Sequence, residues 1–249
     1  IQTVHGLGAF ALITLSVAVR KFNRCPEVIR PLIRAQIHRA GVRLLPMTSF
    51  LAFALGLVII GQTVSLLSRV GAQNYAGLVM VTIVVRELGP LVTALLVLAR
   101  IGTAIVIELG MARAQGEVEA LEALGIDPIH YLVVPRVLGL ALAIFSLTIY
   151  LILMALGCGY LFAFLQDVPL KPGDYLSQLA GALRWQDFAL LAIKTSSFGA
   201  IIAIVTCYQG LAQPLRMEDV AGATTRAVVE GVMTCIFLDA LFIVVYLLM

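Results

Sequence analysis

The chain has 249 residues, 61% of them hydrophobic and 12% charged, with a mean hydropathy of +1.04. That balance lies outside the range of soluble domains. A formal net charge of +3 gives no ground for nucleic-acid binding. Apolar windows of about 20 residues suit membrane-crossing helices, and they lack the alternation of outer-membrane strands. The expected class is an all-α integral membrane protein in one domain over residues 1–249, with interfacial helices in 1–46 and a transmembrane bundle in 47–249.

In chain order, residues 6–19 are apolar but short of a full span, and they end at Arg20-Lys21, which predicts an interfacial helix. The first residue, Ile1, is not a methionine, which leaves the native N-terminus open. From Pro26 to Leu44, Ile29, Ile33, Ile37 and Ala40 recur at helical spacing, with Arg30, Arg34, Arg39 and Arg43 on another side. That is a basic amphipathic helix, suited to an anionic leaflet or to a solvated face of a helix packed on the protein. Met47 to Ser68 reads as the first span, followed by a polar turn over Arg69 to Asn74. The return from Tyr75 to Gly110 is long. Pro90 has no N–H for the carbonyl of Arg86, so a kink or break is expected at Gly89-Pro90.

A short acidic helix is predicted from Ala112 to Leu124, closed by Gly125 in a left-handed cap, with Asp127-Pro128 starting the next helix. Val137 to Leu165 is an uncharged span. Gln166 to Gln186 reads as an extramembrane loop, with a short helix over Tyr175 to Leu183. Phe188 to Ala212 spans again, a polar link covers Gln213 to Arg226, and Val228 to Met249 makes the fifth span. Seven Lys and Arg precede Met47, and Arg113, Arg136, Arg216 and Arg226 share their side. Arg69, Lys171 and Arg184 lie on the other. The positive-inside rule then puts the N-terminus and the acidic helix in the cytoplasm and the C-terminus across the membrane.

Charges at membrane depth cost about 3 kcal/mol each on insertion scales and face a bundle interior, a cavity or a partner charge. Arg86, Glu87, Arg100, Glu108, Lys194 and Asp239 are such charges, and their roles divide between a polar path and structural pairing. Arg86 and Glu87 are adjacent and point to different helix faces, so they do not neutralise one another. The acidic helix mixes Glu117, Glu119 and Glu122 with Val118, Leu121 and Leu124, a composition suited to docking in a partner's groove. Cys25, Cys158, Cys207 and Cys235 have no metal or disulfide spacing and are expected as small buried hydrophobes. His5, His38 and His130 are too dispersed for a metal site. No lysine stands in a G-K-[ST] phosphate loop, so any ATP is bound by another chain. The residues also admit a secondary carrier working through Glu87, Lys194 and Asp239, and a membrane scaffold that recruits partners.

R-E-L-G-P (Arg86 to Pro90), A-R-I-G-T-A (Ala99 to Ala104), E-L-G (Glu108 to Gly110), A-L-G-I-D-P-I-H-Y-L-V-V-P-R (Ala123 to Arg136) and A-T-T-R-A-V-V (Ala223 to Val229) together resemble the MlaE/YrbE permeases of MCE-associated ABC lipid transporters. The resemblance implies a bacterial inner-membrane permease without catalytic residues, present as two copies. It also implies two ABC ATPase subunits that bind ATP and Mg, a hexameric MCE protein above a lipid pocket and, in some members, a STAS-domain subunit. Arg86, Glu87, Leu88, Arg100, Lys194 and Asp239 would line the pocket or path, with Gly89 and Pro90 as a hinge. Glu108, Arg113, Glu117, Glu119, Leu121, Glu122, Leu124, Gly125 and Asp127 would form the ATPase-coupling region around a cytoplasmic coupling helix at about 112–124. Phospholipids are the family's commonest cargo; other members take fatty acids or sterols. The chain departs from the usual family pattern at Gly116-Glu117, where Glu-Gln is common, and at Ala112, where Met is common.

Overall fold

The computed structural model describes residues 2–21, 26–72, 75–165, 172–211 and 217–248. Among them all regular structure is helical: α1 (Gln2–Lys21), α2 (Pro26–Ala40), α3 (Leu45–Leu55), α4 (Gly61–Arg69), α5 (Ala76–Met80), α6 (Gly89–Val97), α7 (Thr103–Ala114), α8 (Glu117–Ala123), α9 (Val134–Leu165), α10 (Pro172–Ala182), α11 (Trp185–Leu211) and α12 (Val220–Leu248). Wider π-helical segments join several of them, at Gly56–Ile60, Val81–Leu88, Leu98–Gly102 and Ile129–Val133. Five helical runs are long and apolar enough to cross a membrane: Ile29–Leu67, Ala76–Ala114, Ile129–Phe162, Trp185–Leu211 and Val220–Leu248. The protein is thus an all-α, multi-pass membrane protein.

Several expected boundaries move. The helical run that holds the first span begins at Ile29 instead of Met47, because α2, a 3-10 turn (Val42–Leu44) and α3 follow one another directly, the basic stretch Arg30 to Arg43 included. Pro90 does not break the second run. The chain enters the proline through π-helical Val81–Leu88, where the Gly89 N–H bonds to the Val84 carbonyl, and Pro90 then sits in the first turn of α6, where a missing N–H costs little. The last run starts at Val220, so Arg226 lies inside a helix and not in a polar link. The acidic helix is Glu117–Ala123; Ala112 to Ala114 belong to α7. Gly116 makes the division at φ +76°, a conformation that a Cβ disfavours. The predicted cap is present: Gly125 has φ +74°, its N–H reaches the Glu122 carbonyl at 2.9 Å, and that of Ile126 reaches Leu121 at 3.0 Å. The expected loop contains α10; Gln166 to Lys171 and Gln213 to Arg216 lie outside the described residues, as does Cys25.

The helices form two compact units, each discontinuous in sequence. One comprises residues 44–93 and 145–195. Its core joins α5 and the π segment that follows to α9, α10 and α11 through Met80, Val84, Val85, Leu151, Tyr175 and Leu191. A Cβ on Gly56 would meet the backbone of Ala155 at 2.5 Å, so only glycine permits that helix approach.

The other unit comprises residues 1–43, 94–144 and 196–249. Here α7 packs on α12 through Val106, Ala223 and Ala227. The ring of Phe10 on α1 stands edge-on to Tyr208 at 5.7 Å. The amphipathy expected of α2 is borne out, with Ile29 and Ala40 buried and Arg30, Arg34, Arg39 and Arg43 exposed. Cys207 and Cys235 are free and buried, and Cys158 is free and half-buried.

Candidate functional site

Within the first unit, the proline that was expected to interrupt the helix shapes a polar site instead. The Arg86 carbonyl has no i+4 donor, because residue 90 is proline. The Lys194 ammonium of α11 supplies a donor at 2.9 Å and reaches the Glu87 Oε2 at 2.9 Å as well. The Arg86 guanidinium turns to Asp187, with Nε to Oδ1 at 3.0 Å and Nη2 to Oδ2 at 3.2 Å. The Nη2 contact is a charge-assisted hydrogen bond and the Nε contact an ionic one, so the guanidinium is held to Asp187 by both. Asp187 also accepts the Arg184 N–H at 2.9 Å while its own N–H reaches the Arg184 carbonyl at 3.0 Å, which caps the start of α11 reciprocally.

Adjacent residues on the π segment are therefore matched to residues seven apart, two helical turns, on α11. The α11 pair is deep: the side chains of Lys194 and Asp187 are 1% and 4% exposed. The partners are half-open, Glu87 at 28% and Arg86 at 22%. A positive and a negative group on adjacent residues are thus half-exposed, each paired with a buried counter-charge on α11. Leu88 is half-buried beside them, and Gly89 and Pro90 are buried at the junction where π spacing gives way to α spacing.

The remaining expected path residues are in the other unit. Arg100 is exposed in its π-helical turn, and Asp239 is buried on α12. Glu108 is a clamp. Its Oε1 meets Arg39 of α2 at 2.9 Å and its Oε2 meets Arg136 of α9 at 3.3 Å, while Arg136 also donates to the Leu132 carbonyl at 2.7 Å.

In the same unit, α8 is anchored by Val118, which is 2% exposed. Glu117, Glu119, Glu122, Leu124 and Gly125 are exposed and Leu121 is half-buried. Arg113 pairs with Glu119 at 3.8 Å. Asp127 accepts the Ile129 N–H at 3.1 Å, the expected helix start. Leu121 and Leu124 line one side of a groove of about 310 Å³ closed by Tyr131 and Leu132.

Sequence reasoning missed Asp187, which fell between the expected loop ending at Gln186 and the span beginning at Phe188, although its seven-residue spacing from Lys194 puts both on one helical face. It also missed Arg39 and Arg136 as partners of Glu108, and the Gln209 to Glu230 hydrogen bond of 2.6 Å between α11 and α12. Glu230 was passed over although it lies inside the expected fifth span, Val228 to Met249.

The family model for the permease MlaE matches residues 33–245. A "Probable ABC transporter permease protein" of Rickettsia prowazekii is 31% identical over 231 residues, covering 93% of this chain and 88% of that protein. The chloroplastic protein TRIGALACTOSYLDIACYLGLYCEROL 1 of Arabidopsis thaliana is 30% identical over 206 residues, covering 82% of this chain and 58% of the relative. The intermembrane phospholipid transport system permease protein MlaE of Haemophilus influenzae is 27% identical over 210 residues, covering 84% and 80%.

Proposed function

The chain belongs to the MlaE permease family and is an ABC transporter permease subunit, and we propose that it moves phospholipids across or out of a bacterial inner membrane, driven by ATP hydrolysis on a separate subunit. The observation that carries the lipid reading is the half-open pair of Arg86 and Glu87. A guanidinium and a carboxylate on adjacent residues, each half-exposed and paired with a buried counter-charge, suit the phosphate and the ammonium of a zwitterionic headgroup. Two copies of the chain would enclose the lipid.

The partners follow the same reading: two ABC ATPases holding ATP and Mg, a hexameric MCE protein that receives or delivers lipid, and a STAS-domain subunit bound to the ATPase. The exposed acids of α8 with Leu121 and Leu124, and Glu108, Arg113, Gly125 and Asp127 around them, would seat on the ATPase. The Gly89-Pro90 junction would serve as the hinge. The distribution of Lys and Arg supports a cytoplasmic N-terminus and α8, with α2 along the cytoplasmic leaflet and the C-terminus in the periplasm.

The test is co-expression with the genomic neighbours, purification in nanodiscs, and ATP-dependent transfer of a fluorescent phospholipid. Retention of an ATPase and an MCE protein, transfer that requires ATP, and its loss in Glu87→Gln at unchanged assembly are the expected results. Transfer by this chain alone down an ion gradient would overturn the reading in favour of a carrier built on Glu87, Lys194 and Asp239.

A further inference from the structure

The unit that holds the charge cluster carries a second concavity, about 490 Å³, between the far end of α9 and the amphipathic α10. Leu153, Leu156, Gly157 and Tyr160 form its α9 wall, a spacing that keeps them on one helical face; Leu176 and Leu179 of α10 stand opposite. Among the described residues, no Asp, Glu, Lys, Arg or His lines it. Of its two tyrosines, Tyr175 is buried, its ring 5.0 Å from that of Tyr160, and its hydroxyl is already committed to the Leu156 carbonyl at 3.1 Å.

The surroundings identify the occupant. The α9 wall falls within the run Ile129–Phe162, which is long and apolar enough to cross a membrane. With 11 residues, α10 reaches about 16 Å at 1.5 Å per residue, half of what a crossing needs, and it lies outside the five crossing runs. The groove is therefore a recess where a crossing helix meets one that does not cross. Its α9 wall is two turns long, about 10 Å, which is short for a second crossing helix but suits a thin flexible chain. Its floor residues Tyr175 and Leu179 share one core with Val84 and Val85, immediately before Arg86 and Glu87.

We propose that this recess seats one acyl chain of a bilayer lipid on each copy of the protein, apart from any lipid enclosed between two copies. The site needs neither a direction of transport nor ATP.

The test uses the complete complex in nanodiscs of phosphatidylethanolamine and phosphatidylglycerol, doped with a phospholipid bearing a diazirine on its acyl chain, photolysed and mapped by mass spectrometry. Peptides holding Leu153 to Tyr160 and Leu176 to Leu179 are expected to label several-fold above the exposed α12 face at Phe237 and Leu241. A Cβ at Gly157 has open space around it, so Gly157→Leu folds and fills the recess, and labelling falls to the α12 level. Gly181 is equally open and is not part of the wall, so Gly181→Leu leaves labelling unchanged. Labelling no higher than on α12, insensitivity to Gly157→Leu, or cross-links from the recess to a protein subunit would each overturn the proposal. ATP-driven transfer measured on the same discs reports separately on the transporter reading.

Discussion

Replacing Lys194 with Met tests whether the buried cluster holds this part of the protein together. Lys194→Met keeps the volume and removes the ammonium, so the Glu87 carboxylate loses its counter-charge at 2.9 Å and the Arg86 carbonyl loses its donor at 2.9 Å. Breaking a buried ion pair by removing one partner costs about 3–5 kcal/mol. Glu87 is 28% exposed and recovers some solvation, which argues for the lower end, about 3 kcal/mol. For a chain of this length, about 2–4 °C of melting temperature accompanies each kcal/mol, so a drop of about 6–12 °C is expected. The buried free thiols Cys207 and Cys235 provide the assay, since a thiol-reactive dye reads their exposure as detergent-solubilised protein is heated.

The double variant Lys194→Met with Glu87→Met separates pairing from packing. With both charges gone, the penalty of an uncompensated carboxylate disappears, and only the Arg86 carbonyl remains short of a donor, at about 1 kcal/mol. The double variant should therefore melt above the single one, with a coupling of about 1–3 kcal/mol. A Lys194→Met protein melting within about 2 °C of wild type, or a double variant no better than the single, would refute the buried-pair argument.

Asp187→Ala removes both the Arg86 partner and the cap at the start of α11; trypsin is expected to cleave after exposed Arg184 several-fold faster in limited proteolysis. Gly125→Ala forces a Cβ into a left-handed conformation at about 1 kcal/mol and loosens the end of α8, so less ATPase should co-purify per permease at equal expression. Arg39→Ala opens an ion pair whose two side chains are 54% and 46% exposed, so its melting temperature should move by less than that of Asp187→Ala. Burial pushes the Tyr175 phenol above its ordinary range, so the folded protein holds that proton where the unfolded chain has lost it. Stability should then fall as pH rises above about 10, the ordinary tyrosine value, and Tyr175→Phe should flatten that slope in a pH series of melts.

The membrane class, the crossing runs and the caps at Gly125 and Asp127 were legible because each rests on local chemistry: apolar length, a residue that tolerates positive φ, a carboxylate two residues before an open N–H. The boundaries that moved depend on what packs nearby. Gly116 was read as interior to an acidic helix because nothing local separates a glycine inside a helix from one that ends it. Arg226 was read as a loop residue because its charge hid the small residues, Ala223 and Ala227, that seat α12 against Val106. The charges at depth stood out individually, but their pairing did not. Whether Arg86 finds Asp187 or Glu87 finds Lys194 depends on how two helices far apart in sequence align.

That alignment makes the proline the centre of the site. A helix that keeps α spacing into Pro90 would leave the Arg86 carbonyl without a donor at membrane depth, an arrangement tolerated only where another group satisfies it. Lys194 does so, and the same ammonium neutralises Glu87, so one buried cation answers both the backbone defect and the carboxylate. The π spacing of Val81–Leu88 and the salt bridges are consequently linked. Returning the segment to α spacing would break the Gly89 to Val84 bond and rotate Arg86 and Glu87 away from partners fixed two turns apart on α11. A segment so held is fixed at both its backbone and its charged side chains, so a change at either is felt by the other.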